Sequence, residues 1–144
     1  MTPETVFLES EALVAANVQA PASVVETLHR QLNALREVQG FLSAVIARPD
    51  GLTIHHTLRK PHEAALLCAI AAAMVGSSRQ AARELSRGGF VHGMLHFEEG
   101  TLLVAEAGSE AILACMVAPE TNVGHALLVI KRLVPRIEEV LAQL

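Results

Sequence analysis

Few residues of this chain could carry catalytic chemistry, and their spacing argues against an enzyme. A hydrolytic Ser-His-Asp triad needs an acid that orients its histidine, but Asp50 is the only aspartate and belongs to a predicted turn. Glu98 and Glu99 are neighbours in a second predicted turn, where adjacent acids are normally solvated. The chain has no glycine-rich phosphate loop of the Walker type, so we do not expect it to bind GTP itself. We therefore predict no catalytic residue, no cofactor and no enzymatic activity.

The seven histidines raise the question of a metal site. His55 and His56 are adjacent on a predicted strand, so their side chains should point to opposite faces. His92 and His96 share a face of another predicted strand but lie about 13 Å apart along it. That distance is too long for two ligands of one ion. We predict no metal site within one subunit.

Three arginines form the clearest charged pattern. Arg79, Arg83 and Arg87 are each four residues apart, so a helix would place them on one stripe near its end. One interpretation is a solvated stripe, because cations are favourable near helix C-termini. The other is an exposed docking strip for an acidic partner surface, which need not supply an arginine finger. The three arginines are our candidate partner-binding residues.

Composition excludes several other classes of protein. A formal net charge of −4 gives no general attraction to phosphate backbones, and four Phe with no Tyr or Trp leave little base-stacking surface. We expect no nucleic-acid partner. The first residues lack the cationic start of a signal peptide, and the longest apolar run, Ala64 to Val75, is shorter than the roughly 20 residues of a spanning helix. We expect a cytoplasmic protein with no membrane partner.

The two cysteines read as buried small hydrophobic residues. Cys68 lies inside the longest apolar run and Cys115 inside a predicted strand. Two cysteines in a chain of this length do not make a disulfide scaffold. The sequence alone leaves a single disulfide between them open.

The elements that must position these residues begin with a helix and a hairpin. Ser23 and Glu26 have the spacing of a capping box, and Gly40 is a natural stop for the helix that follows. A strand over 41–48 and an alternating strand over 52–57 flank Pro49-Asp50-Gly51, whose residues favour a tight turn. In the second strand we expect Leu52, Ile54 and His56 to share one face.

A long helix over about residues 62–87 is predicted next. From Ala64 to Val75 it is apolar all round, which implies burial on two sides. The sheet covers one side, and we expect a second subunit to cover the other. An alternative is that residues 1–20, read either as a short helix or as a mobile arm, cover that side within the same chain. Four small residues would allow close helix–helix approach: Ala69, Ala72, Ala73 and Gly76.

Three strands and a closing helix complete the chain. Strands are predicted over 90–97, 101–106 and 111–117, with Glu98-Glu99-Gly100 and Ala107-Gly108-Ser109 as the turns. Asn122 is a candidate cap for the last helix. Pro135 removes one backbone donor, so we expect a kink or break near Lys131–Val134.

Together these pieces resemble the Roadblock family, which includes roadblock and dynein light chain proteins. The resemblance covers about residues 21–143. Gln39, where many relatives have proline, and Pro135 depart from the family pattern. The resemblance rests on Gly40-Phe41, Pro49-Asp50-Gly51-Leu52, the alanine-rich middle helix, Gly100-Thr101-Leu102-Leu103-Val104 and Gly124.

The resemblance implies an α+β fold of order α-β-β-α-β-β-β-α, similar to profilin, with residues 1–20 as an extension and 21–144 as the domain. It implies a five-stranded antiparallel sheet with the long helix on one face and the terminal helices on the other. It also implies a homodimer, formed through the long helix and the next strand. In that strand the interface residues would be Phe90, His92, Met94 and His96.

The function that the resemblance implies is non-catalytic. Prokaryotic relatives commonly bind Ras-like small GTPases and regulate their nucleotide cycle or placement. Two alternatives stay open: an interaction module that needs no GTPase, similar to a light-chain scaffold in a larger complex, and a sensor that holds a small ligand.

Overall fold

The computed structural model describes residues 21–143 of the chain. The expectation of a short helix or a mobile arm at residues 1–20 lies outside these residues, as does Leu144. The described part has the predicted element order, and a short 3₁₀ turn, Ala34–Glu37, follows the first helix. The elements are α1 (Ala22–Asn33), β1 (Phe41–Ala47), β2 (Thr53–His56), α2 (Pro61–Leu85), β3 (His92–Phe97), β4 (Gly100–Glu106), β5 (Ile112–Val117) and α3 (Val123–Leu141).

The five strands form one antiparallel sheet in the order β2-β1-β5-β4-β3. β1, β5 and β4 are therefore central, and β2 and β3 are its edges. The central strands are buried along almost their whole length, as their near-continuous apolar sequences predict. The predicted α+β fold class is confirmed.

The sheet is covered by helices on both faces, so it has two cores. On one face Val45, Val104 and Ala114 pack under α2. On the other, Ile46, Leu103 and Leu113 pack under α1 and α3. Successive residues of a strand enter opposite cores, as the period of two requires. The predicted layering, with the long helix on one face and the terminal helices on the other, is the one observed.

The predicted capping box at the start of α1 is wrong. Pro21 occupies the N-cap position with an extended ψ of 148°, and its carbonyl accepts hydrogen bonds from the amides of Val24 and Val25. The helix thus begins at Ala22, and Ser23 already lies inside it. Its carbonyl accepts a hydrogen bond from Oγ1 of Thr27 at 2.8 Å, and no side chain caps the helix.

The break predicted near Lys131–Val134 is also absent, because α3 runs without interruption from Val123 to Leu141. The alternative of a kink stays a prediction. Both Pro135 and Lys131, whose carbonyl loses its donor, lie on the exposed side of the helix. Water can reach that carbonyl, so the lost hydrogen bond does not end the helix. Asn122 caps α3 as predicted, because its Oδ1 accepts a hydrogen bond from the amide of His125 at 3.1 Å.

A bulge in β2 changes the predicted alternation of that strand. Ala47 pairs with Thr53, but the preceding Ile46 pairs with His55, so Ile54 is the extra residue. Ile54 then packs against the core under α1 and α3, and His55 lies on that face as well because it pairs with Ile46. His56 pairs with Val45 and points to the α2 face. The prediction that Ile54 and His56 share a face is wrong, whereas the opposite orientation of His55 and His56 is confirmed.

The two cysteines lie on opposite faces of the sheet, so they cannot form a disulfide with each other in this fold. Cys68 belongs to the core under α2 and Cys115 to the other core. Burial raises the pKa of the Cys68 thiol to about 11, an effect opposed in part by the hydrogen bond that Thr53 Oγ1 donates to its sulfur. Burial raises the pKa of the Cys115 thiol to about 12. Both thiols are free and protonated near neutral pH.

Gly40 joins the 3₁₀ turn to β1 at a position that excludes a side chain. Its φ is +95°, and a Cβ atom there would collide with the side chain of Thr121. We expect Gly40→Ala to lower the free energy of unfolding by about 2–4 kcal/mol, because backbone strain and overpacking add. Urea unfolding followed by circular dichroism measures this. Gly89→Ala is the matched control, since a Cβ there meets no atom within 4 Å. Equal stability of the two variants would contradict the prediction.

Candidate functional site

Among the described residues, apolar side chains are left uncovered along β3 and on the outer side of α2. β3 pairs with β4 on one side, and the strand order places nothing on its other side. Its side chains are exposed: Met94 is 45% exposed, Leu95 37% and Phe97 49%. An edge strand with free backbone groups and exposed apolar side chains is a ready template for pairing with another chain.

The outer side of α2 also exposes apolar side chains. The side that packs on the sheet consists of Ala64, Cys68, Ala71 and Val75. A second stripe at helical spacing points away from the sheet, where Leu66 is 63% and Ile70 39% exposed. We call the outer stripe and β3 together the α2–β3 surface. The outer stripe consists of Leu66, Ala69, Ile70, Ala73 and Gly76.

The register of β3 shows which of its side chains face α2. Gly93 and Leu95 pair with Val104 and Leu102, which belong to the core under α2. Met94 pairs with Leu103, which belongs to the core on the other face. His92, Met94 and His96 therefore lie on the α1 and α3 face. The prediction named these three and missed Leu95 and Phe97, which alternation from Met94 would have placed beside α2.

The other predicted interface residues fall into two groups. Ala69, Ala73 and Gly76 are exposed on the outer stripe. Ala72 and Phe90 are half-buried within the subunit, because both pack against the core under α2. Phe90 precedes β3, and a Cβ atom on Gly93 would lie 3.4 Å from its ring. Their place in an interface stays a prediction. The sequence missed Leu66 and Ile70, although their spacing from Ala73 is helical.

The three predicted partner-binding arginines do not form one stripe. Arg79 forms a bidentate ion pair with Glu106 at the end of β4, with nitrogen–oxygen distances of 2.7 and 3.0 Å. Arg83 lies exposed in the last turn of α2. The helix ends at Leu85, where Ser86 adopts a positive φ of 52°, so Arg87 lies beyond it. The expectation of an exposed stripe is therefore wrong for Arg79, whereas Arg83 and Arg87 stay candidates for partner binding.

The ion pair gives Arg79 a structural role that can be measured. We expect Arg79→Gln to lower the free energy of unfolding by about 1 kcal/mol, because a partly buried, charge-assisted pair is lost. The matched control, Arg83→Gln, should stay within about 0.5 kcal/mol of the parent chain. Urea unfolding of both variants measures the difference. Two variants of equal stability would show that the pair contributes nothing.

A groove of about 510 Å³ lies between α3 and the β3–β4 edge, on the face opposite α2. Leu127, Leu128 and Val134 form one wall, and Val91 and His92 form the other. Leu128 is 56% exposed, so the groove is largely apolar and open. Glu106 also lines the groove, so its ion pair with Arg79 borders it. The groove has the size of a small-ligand or peptide site.

Among residues 21–143, no group of three or more His, Cys, Asp or Glu side chains is arranged around one metal position. Asp50 belongs to the β1–β2 turn, where its Oδ1 accepts a hydrogen bond from the amide of Leu52 and its Oδ2 pairs with Arg48. The turn prediction is confirmed. The absence of catalytic residues stays a prediction.

Comparison with known protein families identifies the family of this chain. The sequence pattern of the Roadblock/LC7 domain matches residues 24–117. The chain belongs to the Roadblock/LC7 family. The match extends from α1 to the end of β5, so it includes every strand and the whole α2–β3 surface, whereas α3 lies beyond it. The resemblance found from the sequence motifs is confirmed.

This Roadblock/LC7 chain is similar to several known proteins and solved structures. An uncharacterized protein of Methanocaldococcus jannaschii is 29% identical over 111 residues, which cover 77% of this chain and 96% of that protein. The structure of the gliding protein MglB from Thermus thermophilus is 23% identical, with a TM-score of 0.77 over 88% of this chain and 96% of MglB. A structure of MglB with a tetrameric arrangement is 23% identical, with a TM-score of 0.76 over 85% of this chain and 93% of that MglB chain. At these identities the structures show the shared fold.

In this Roadblock/LC7 chain, the length and composition of α2 are relevant to the expectation that the protein has no membrane partner. Within the described residues it is the one helix that is long and apolar enough to cross a membrane, by length and composition alone. Of its most apolar 18-residue window, 28% is buried. The residues of this window that are not buried include the outer stripe. The exposed apolar side of α2 therefore contributes both to the apparent membrane span and to the α2–β3 surface. A helix of a soluble core can pass the same test, so this is weak evidence for a membrane span.

Proposed function

We propose that this chain is a non-catalytic regulator that forms a homodimer through the α2–β3 surface and binds a Ras-like small GTPase. The observations that carry the proposal are the exposed apolar side chains of β3 and of the outer stripe of α2, which nothing in the described residues covers. A soluble monomer rarely exposes an apolar patch of this kind unless the patch binds something. We further propose that the dimer acts in the cytoplasm.

A second copy of the chain is the partner that best fits this surface. The free edge of β3 can pair antiparallel with its own symmetry mate, which would join the two sheets into one. On the adjacent helix, Ala69, Ala73 and Gly76 are small enough to let the two copies of α2 approach closely. Leu66 and Ile70 supply apolar area beside them. The tetrameric arrangement of a related MglB supports self-association in this fold.

Ala73→Glu tests the dimer without disturbing the subunit core, because Ala73 is exposed in the subunit. Near the dyad it would bury two carboxylates close together, at a cost of several kcal/mol. We expect the parent chain to sediment as a dimer at tens of micromolar and Ala73→Glu to dissociate at least tenfold more readily. Sedimentation equilibrium measures both constants.

Ala22→Glu is the matched control, since it adds the same charge at an exposed alanine of α1, on the other face of the sheet. It should leave the dimer constant unchanged. A monomeric parent chain, or an Ala73→Glu dimer as tight as the parent, would contradict the proposed interface.

Membership of the Roadblock/LC7 family supports the GTPase part of the proposal through the resemblance to regulators of Ras-like proteins. Arg83 and Arg87 are the cations best placed to dock a partner, because both are exposed near the end of α2. Arg79 is less suited, because Glu106 already neutralises it. Exposed cations of this kind would increase the association rate with an acidic surface more than the final affinity.

Nucleotide-dependent binding tests the GTPase proposal. Ras-like GTPases from the source organism, loaded with GDP or with a non-hydrolysable GTP analogue, would be titrated against the full chain by interferometry. We expect one nucleotide state to bind at least tenfold more tightly. The double variant Arg83→Glu/Arg87→Glu should weaken binding and make its salt dependence shallower. Arg59→Glu/Arg136→Glu, which reverses two exposed charges away from the end of α2, is the charge-matched control.

The outcomes of this titration separate the two parts of the proposal. Binding with no nucleotide preference, or no binding to any such GTPase, would contradict the regulatory role. Binding that survives the double variant would show instead that the arginines belong to the solvated surface.

The groove beside α3 favours a second candidate, an interaction module that needs no GTPase. Its open apolar floor and the exposed Leu128 would suit an apolar segment of a larger complex. Leu128→Lys should abolish such binding and leave the α2–β3 dimer intact. A partner lost with Leu128→Lys but retained with Arg83→Glu/Arg87→Glu would favour this candidate.

A further inference from the structure

Two histidines that are 26 residues apart meet between α1 and the edge strand β2. Nδ1 of His29 lies 3.0 Å from Nε2 of His55, and the two rings are nearly perpendicular, with centroids 5.2 Å apart. The bulge at Ile54 creates this contact, because it turns His55 onto the face that α1 covers. Without the bulge, strand alternation would place His55 on the same face as Thr53, which is the α2 face.

The protonation of this pair leaves lone pairs for a cation. Only one proton fits between two ring nitrogens at this distance. One of these two nitrogens therefore carries no proton and offers a lone pair. Neutral imidazoles are the form in which histidine binds metals.

A carboxylate and a cation share the groove beside the pair. Glu26 precedes His29 by three residues on α1, so both side chains lie on one side of the helix. With Val25, Arg30 and His55 they line an open groove of about 650 Å³. The guanidinium of Arg30 donates a hydrogen bond to Oγ1 of Thr27 at 3.3 Å, which holds this charge along the helix. His56 is the other titratable side chain near the pair, with its ring centroid 6.4 Å from that of His55.

We propose that His29 and His55, with Glu26 as the third ligand, bind one zinc ion that links α1 to β2. Two nitrogens bound to tetrahedral zinc lie about 3.4 Å apart, since each bond is about 2.0–2.1 Å long. The observed separation of 3.0 Å needs only a small rotation of the rings. Glu26 has to turn toward them, because three ligands are not already assembled. The open groove leaves room for water as the fourth ligand.

This arrangement would add a connection where the sheet has few. β2 has four residues and pairs only with β1, so it lacks the second hydrogen-bonded neighbour that each central strand has. A metal bridge between a helix and an edge strand closes a loop of the chain and stabilises the folded form by the free energy of binding. The proposal does not depend on the dimer or on the GTPase.

Zinc titration of the full chain tests the proposal. Protein stripped with a chelator and dialysed would be titrated with Zn²⁺ alone by calorimetry near neutral pH. We expect one Zn²⁺ per chain, with saturation below about 100 µM Zn²⁺ and a raised midpoint of thermal unfolding. Co²⁺ in place of Zn²⁺ should give the visible absorption of tetrahedral coordination.

The variants identify the ligands. His29→Gln and His55→Gln should each weaken Zn²⁺ affinity at least tenfold and remove the Co²⁺ band, and Glu26→Gln should weaken affinity to a smaller extent. His125→Gln, at an exposed histidine on α3, is the matched control and should bind as the parent does. If His55→Gln does not fold, His29→Gln still decides, because His29 is exposed on α1. Absence of one-to-one binding, or affinity unchanged in His29→Gln, would overturn the proposal.

Discussion

The burial of the three central strands on both faces is the constraint on which the rest of the structure depends. β1, β5 and β4 are almost wholly apolar, so each face of the sheet needs a helical layer. The α1–α3 pair supplies one layer. The other is α2 alone, whose inner side is formed mainly by the small residues Ala64, Cys68 and Ala71. Such a helix can lie close to the strands, but one helix is narrower than five strands.

The exposure of β3 follows from this mismatch. α2 and α3 both lie over the centre of the sheet, so each leaves β3 partly uncovered on its own face. On one face this gives the α2–β3 surface, and on the other the groove beside α3. Both candidate binding regions are consequences of covering a five-stranded sheet with layers that are centred on its middle strands. The proposed binding would therefore depend on the edge of the sheet and on no catalytic side chain.

The sequence predicted the features that local patterns determine. The order of elements, the Asp50-Gly51 turn and the Asn122 cap were all accessible, because each depends on residues close together in the chain. The two helical layers were predicted from the family resemblance. The start of α1 was misjudged because Pro21 supplies the first acceptor without a capping side chain. Pro135 was expected to kink or break α3, because one sequence does not show that its missing hydrogen bond falls on the exposed side.

The side-chain pairs were missed for a different physical reason. Arg79 meets Glu106 across 27 residues, and His29 meets His55 across 26. Such contacts depend on strand register, and a single bulge reverses which residues face a given helix. The spacing of histidines within each strand argued only against metal sites inside a strand. The prediction of no metal site within one subunit therefore went further than that spacing allows, and the zinc site proposed between α1 and β2 disagrees with it.

The two edges of the sheet differ in a way that favours β3 for self-association. β2 has four residues and carries the bulge at Ile54, and short, bulged edges resist pairing with another chain. β3 has six residues and pairs with β4 in unbroken register, and it contains no proline, lysine or other charged residue apart from its titratable histidines. Proteins protect edge strands by short length, bulges, prolines or charged side chains. β2 is short and bulged, whereas β3 has none of these features within its own length. A homodimer joined at β3 would leave β2, with its histidine pair, free at both ends of the continuous sheet.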